Sequence, residues 1–155
     1  MSTKRALILL LFLRLALGLF WIDHGLDKAT GGWLTENHLK VHLTKTRLTA
    51  TGAPKAYLKQ FAIPGSSVLR YLVTLGELAV GLALLAGFWM KPASWGAAFM
   101  VLNFKFADGS FQNLDFLGDA YLFPLLLATL AAAYIEVHRE WTVRRFIPAL
   151  DRYEV

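Results

Sequence analysis

Apolar residues along this chain fall into four long runs rather than the short periodic stripes of a water-soluble domain. The first covers Ala6 to about Leu26, the second Val68 to Trp89, the third Pro92 to Asp108 and the fourth Asp115 to Ile135. Runs of about twenty such residues are what a helix needs to cross a bilayer. Polar or Pro/Gly-marked breaks separate them. The pattern predicts an all-α fold, an integral membrane four-helix bundle formed as a single transmembrane domain over residues 1–155. Lys91-Pro92 is expected to stop the second helix, because proline cannot continue the hydrogen-bond ladder behind it. Pro92 then sits well in the first turn of the third. Asp108-Gly109-Ser110 followed by Gln112-Asn113 predicts a tight turn ahead of the fourth.

The connection between the first two runs, residues 29–67, is far longer than bundle helices usually need. Within it, residues 39–48 and 55–61 read as short surface helices, with Gly52, Pro54, Pro64 and Gly65 as breaks. The tail, residues 136–155, sets Arg139, Arg144, Arg145 and Arg152 around Trp141 and Phe146, the composition of an interfacial amphipathic segment. Lys4 and Arg5 ahead of the first run resemble the start of a signal peptide. Arg14 interrupts that run, however, and the only small-residue pattern, Ala16-Leu17-Gly18, leads into more apolar sequence, so a retained first helix is expected. With four spans, Lys4, Arg5, Lys91 and the tail arginines fall on one side. Both termini are then cytoplasmic in a multi-pass protein of the inner (plasma) membrane, and the 29–67 loop is extracytoplasmic.

Composition narrows the function classes. Hydrophobic residues make up 56% of the chain and cysteine is absent, so the protein cannot itself run thiol–disulfide chemistry. The net charge of +5 raises nucleic acid as a partner. The bases are scattered over membrane flanks and one loop, with no soluble domain to present them, so nucleic acid is set aside. Anionic membrane lipids and other membrane protein subunits are the expected partners.

Ionisable residues inside the apolar runs need a partner or a task. Arg14 and Glu77 both fall near the middle of their runs, and a structural ion pair between them is the simplest way to keep both charged. Helical spacing puts Arg14, Gly18, Trp21, Gly25 and Lys28 on one face of the first helix, and Arg70, Thr74, Glu77 and Gly81 on one face of the second. The glycines would let these faces approach closely. Other polar residues gather toward the outer end: Asp23, His24, Asp27, Lys28, Arg70, Asn103, Lys105, Asp108, Asp115 and Asp119. The inner halves of the second and fourth helices carry no charge.

A polar mouth above a greasy interior suits an amphipathic ligand. Trp21, Lys28, Arg70 and Asp119 are the candidate ligand-binding residues, and His24 is the candidate catalytic proton partner of a quinone oxygen, since histidine exchanges a proton near neutral pH. Against this stands an interfacial histidine that only hydrogen-bonds, and a purely structural pairing of Lys105 with Asp119. His38 and His42, four apart with Glu36 nearby, have a spacing that can place two imidazoles on one metal. No third ligand is fixed, and no metal site is assigned. His24 and His138 lie at opposite ends of the membrane, which disfavours haem. Trp33, Trp89, Trp95 and Trp141 fall near span ends, as an aromatic belt requires.

Arg14, Gly18, Phe20, His24-Gly25 and Lys28, then Phe61 with Pro64-Gly65, then Gly76-Glu77 with Gly81 and Gly87, resemble the DoxX/DoxD family of small four-helix membrane proteins. The resemblance covers about Arg14 to Ala133. Its most specific part is the first-helix Arg and His-Gly-x-x-Lys combined with the second-helix Gly-Glu. It implies a four-helix bundle associated with membrane redox systems, including the small subunit type of thiosulfate:quinone oxidoreductase, with quinone as the implied cofactor and Arg14, His24, Lys28 and Glu77 as characteristic positions. Asp23, Asp27 and the long basic loop depart from the pattern, and the loop offers a docking surface. Two function classes follow: a quinone-linked oxidoreductase subunit whose electrons come from a partner, and a non-catalytic accessory or assembly subunit of a larger membrane complex.

Overall fold

The computed structural model describes residues 3–111, 115–119 and 122–133. All secondary structure among them is helical. Six α-helices follow in order: α1 (Thr3–Thr30), α2 (His38–Thr49), α3 (Gly52–Tyr57), α4 (Ser66–Ala86), α5 (Met90–Ala107) and α6 (Leu122–Ala133). A π-helical turn, Leu58–Ala62, extends α3, and a 3-10 turn, Asp115–Gly118, precedes α6. The basic tail expected to be amphipathic lies outside the described residues.

Local chemistry explains where the elements stop. α1 runs past the end of its apolar stretch because nothing breaks it before Gly31 and Gly32; Gly32 is left-handed at φ +83°. α4 ends earlier than Lys91-Pro92 would dictate. Gly87 takes the left-handed conformation (φ 66°), and its N–H bonds to the Ala83 carbonyl, closing the last turn as a glycine cap does. Lys91 and Pro92 then lie in the first turn of α5. The fourth helix also starts later than Asp115, at Leu122, whose N–H is taken by Asp119 Oδ1 at 2.6 Å. A carboxylate there satisfies one of the orphan donors of a helix N-terminus.

α1 packs against α4, α4 against α5, α5 against α6, and α6 returns to α1. Leu17, Trp21, Val80, Leu84, Ala97, Ala98, Val101 and Leu126 form the shared core. The α1–α4 contact is set by glycines. A Cβ at Gly18 would stand 2.8 Å from Leu85 Cδ2, one at Gly25 2.8 Å from Leu78 Cδ2, and one at Gly81 2.8 Å from both Gly18 O and Ile22 N. These backbones touch, as small-residue seams allow. Of the faces helical spacing predicts, Arg14, Gly18, Trp21 and Gly25 on α1 and Thr74, Glu77 and Gly81 on α4 are buried, joined by Leu17, Val73, Val80 and Leu84, while Lys28 and Arg70 are only half-buried.

The long connection folds into a second, smaller core. Leu39 and Leu43 of α2, Leu58 and Ala62 of the π turn, and Ala107 at the end of α5 cluster together, with Leu69 and Trp33 against them. α2 and α3 thus form a platform over one end of the helical ring.

Gly81→Ala is expected to lower stability by about 1–3 kcal/mol, because the added methyl meets backbone and overpacking of that size costs about as much. Gly96→Ala meets nothing within 4 Å and should leave the thermal midpoint in detergent unchanged or higher. Equal midpoints for the two variants would refute the seam.

Candidate functional site

Two seams flank α4, and they differ in character. The α1–α4 seam is charged. Lys28 Nζ lies 2.8 Å from each carboxylate oxygen of Glu77, and Glu77 keeps only 6% of its side-chain exposure. Lys28 also stands 5.7 Å from the centre of the Trp33 ring. His24 stands one turn before Lys28 on α1 and is half-buried. Its Nδ1 is 3.0 Å from the Phe20 carbonyl, and its ring lies 4.0 Å from that of Phe20. Thr74 is buried one turn from Glu77, and its hydroxyl donates to the Arg70 carbonyl at 2.9 Å. Arg70 holds its guanidinium 5.0 Å over the Tyr71 ring.

The carboxylate expected to meet Arg14 therefore meets Lys28. Register is the reason. With Gly25 opposite Leu78 and Gly18 opposite Leu85, Glu77 falls at the level of Gly25. Arg14 lies three turns below, roughly 16 Å away at about 1.5 Å per residue. Depth within each apolar run suggested one level for both residues, but α1 extends well past its run and shifts the pairing. Arg14 is among the largest fully buried side chains. It sits at the level of the α4 C-terminus, where carbonyl dipoles favour a cation.

Asp119 belongs to a different corner. Its Oδ2 takes Lys105 Nζ at 2.8 Å while its Oδ1 caps α6, and Lys105 also reaches Asp108 at 3.3 Å. That cluster ties the end of α5 to the start of α6. Trp21 is buried in the shared core, edge-on to Phe20. His38 bonds to Glu36 at 2.7 Å, and no group of three or more His, Asp or Glu side chains able to hold a metal occurs among the described residues.

The α4–α5 seam is apolar and incompletely closed. Gly76, Ala79 and Ala83 on α4 face Ala93 and Gly96 on α5 across a cavity of about 610 Å³, inside the roughly 300–1,000 Å³ range of small-molecule sites. It runs along α5 from Trp89 to Phe104, roughly 20 Å of helix. Polar side-chain atoms enter at one end, where Tyr57 Oη and Asn103 Nδ2 lie 3.0 Å apart and the Asn103 Oδ1 stands 3.2 Å from the same hydroxyl. Tyr57 is the last residue of α3 and leads into the π turn. Leu58 and Ala62 anchor that turn in the platform core, while Tyr57 and Phe61 line the cavity, their rings 5.5 Å apart. π turns recur at functional sites.

None of His24, Lys28, Arg70, Trp21 or Asp119 lines this cavity. Sequence reasoning missed it, although a signal was present: small residues at helical spacing on both helices, with one amide, Asn103, in an otherwise apolar stretch. Tyr57 carried no signal of its own, since its placement depends on the irregular turn after it.

An all-helical fold whose two longest apolar helices also expose much of their apolar surface has the character of a helical membrane protein. Ile8–Thr30 and Ser66–Ala86 are each long and apolar enough to cross a bilayer. The DoxX family model matches residues 9–107, from α1 to the end of α5, and the chain belongs to that family of membrane proteins, often linked to redox complexes. No curated protein and no solved structure matches it.

Removing one member of the Lys28–Glu77 pair leaves a buried charge, which typically costs about 3–5 kcal/mol, whereas replacing both with apolar residues is often neutral. Glu77→Leu and Lys28→Met should each lower the unfolding midpoint sharply, and the double variant should recover most of the loss. A double variant as unstable as the sum of the singles would show that the pair has no coupling.

Proposed function

We propose that the protein is a membrane subunit of a redox complex and holds a quinone in the α4–α5 groove. In this reading the ring is a transmembrane four-helix bundle, with both termini on the cytoplasmic side of the plasma membrane and the platform on the outer side. The carrying observation is the groove itself: long, mostly apolar, with a hydroxyl and an amide together at its platform end. A quinone has the matching shape, an isoprenoid tail with a small ring whose oxygens accept hydrogen bonds. The Tyr57 hydroxyl and the Asn103 amide are the donors within reach, each net hydrogen bond being worth about 1 kcal/mol.

Exposed Leu72 and Phe99 line the groove, so a tail can enter sideways from the hydrocarbon. The cluster of His24, Lys28 and Glu77 lies across α4 from the groove and keeps α1 in place. Electrons come from a partner in this reading; the chain binds and orients the quinone. The second reading, an accessory subunit, is favoured by the exposed basic surface of the platform.

The test is quenching of a tryptophan introduced by Phe104→Trp, at the platform end of the groove, by a short-chain ubiquinone in nanodiscs. Gly96→Leu projects a side chain into open groove space and should abolish quenching with the fold intact. Tyr57→Phe and Asn103→Leu should each weaken binding about fivefold, and His24→Ala should leave it unchanged. Quenching that survives Gly96→Leu but is lost in His24→Ala would return the ring to the α1–α4 seam.

A further inference from the structure

Residues 29–67 carry Lys40, Lys45, Arg47, Lys55 and Lys59 against a single acid, Glu36. Glu36 is held by His38 at the edge of the platform. The four lysines are exposed, and none of the five bases forms an ion pair with a described residue. Such unneutralised positive charge is unusual on the extracytoplasmic side, where the positive-inside bias disfavours it.

The platform also leaves apolar surface uncovered. Val41 is 52% exposed and Leu48 75%. On a helix turning about 100° per residue, Val41, Lys45 and Leu48 fall opposite Leu39 and Leu43. Those two leucines are the side of α2 seated on the end of the ring. The exposed stripe therefore points away from the ring ends and, with α1 and α4 crossing the bilayer, into the aqueous phase. On the π-turn side, Pro54, Leu58 and Ala62 are buried while Lys55 and Lys59 stand out beside them. Apolar side chains rimmed by unpaired charge have the anatomy of a protein interface.

We infer that the outward face of α2, centred on Val41, Lys45 and Leu48 beside Lys40, with Lys55 and Lys59 exposed on the adjoining α3 and π turn, docks an acidic face of an extracytoplasmic polypeptide. Two features fix this occupant. The charge is of one sign, and complementary potential both steers the encounter and rejects like-charged partners. The stripe points away from Leu69 and Ala107, the ring-end residues on which α2 is seated, and in the proposed topology that direction leads away from the headgroups. The inference rests on the topology in the proposed function and is independent of the quinone.

The test uses the full chain in native membranes. A zero-length carbodiimide couples lysine amines to carboxylates in direct contact, and the linked positions are mapped by mass spectrometry. Links are expected from Lys40, Lys45, Lys55 or Lys59 to Asp or Glu residues clustered on one polypeptide. Leu48→Asp and the pair Lys40→Glu with Lys45→Glu should each reduce the yield about tenfold, while Lys91→Glu should not. Vesicles containing phosphatidylglycerol supply the other arm: unchanged links alongside loss of vesicle binding in the same variants would make the surface a lipid contact and overturn the inference. Absence of links from an accessible platform overturns it too. Protection of Lys45 from a membrane-impermeant amine reagent in intact cells would instead overturn the topology, and the extracytoplasmic partner with it.

Discussion

Backbone contact between α1 and α4, closed by one ion pair, is the constraint on which the remaining structure hangs. Lipid tails are as apolar as leucine, so helices in a bilayer gain little from simply hiding apolar surface and depend on close packing instead. Gly18, Gly25 and Gly81 permit that packing, but glycines alone would tolerate a slip. Lys28 and Glu77 do not. A shift of one turn would leave an ammonium and a carboxylate unpaired in a low-dielectric interior, at a cost far above that of any single packing defect. The charges set the register and the glycines allow the approach.

Once that register is fixed, α4 has two unlike faces. Glu77 looks to α1, while its neighbour Gly76 looks to α5, where a Cβ would meet Met100 at 2.9 Å. Charge is confined to one seam, and the other stays apolar enough to take a hydrocarbon tail. The platform completes the arrangement. Its buried leucines rest on Leu69 and Ala107, and that seating brings Tyr57 to Asn103 at the platform end of the groove. Ion pair, groove and platform thus depend on one another through α4.

Much of this was legible in the sequence. Helical spacing identified most of the buried faces of α1 and α4, because Arg14, Gly18, Trp21 and Gly25, and Thr74, Glu77 and Gly81, recur every third or fourth position; Lys28 and Arg70, on the same faces, stay half-buried. The short helices of the connection were legible in part: Pro64 and Gly65 do fall in the break before α4, whereas Gly52 and Pro54, read as breaks, form the first turn of α3, where proline's missing N–H costs nothing. The partner of Glu77 was not, because depth in an apolar run is a poor guide to the level of a residue when one helix outlasts its run; only the contacts of Gly18 and Gly25 give the register. The start of α6 depended on a side-chain cap from Asp119, and the end of α4 on Gly87 taking φ 66°. The groove escaped for a different reason. A cavity is made by what is missing between two helices, and no single residue announces it.

The register claim is tested most directly by cysteine pairing, for which the cysteine-free chain is a clean background. Gly25→Cys combined with Leu78→Cys, oxidised in native membranes, should form an intramolecular disulfide in high yield, whereas Arg14→Cys combined with Glu77→Cys should form none. Efficient linkage of the second pair, with none of the first, would contradict the account.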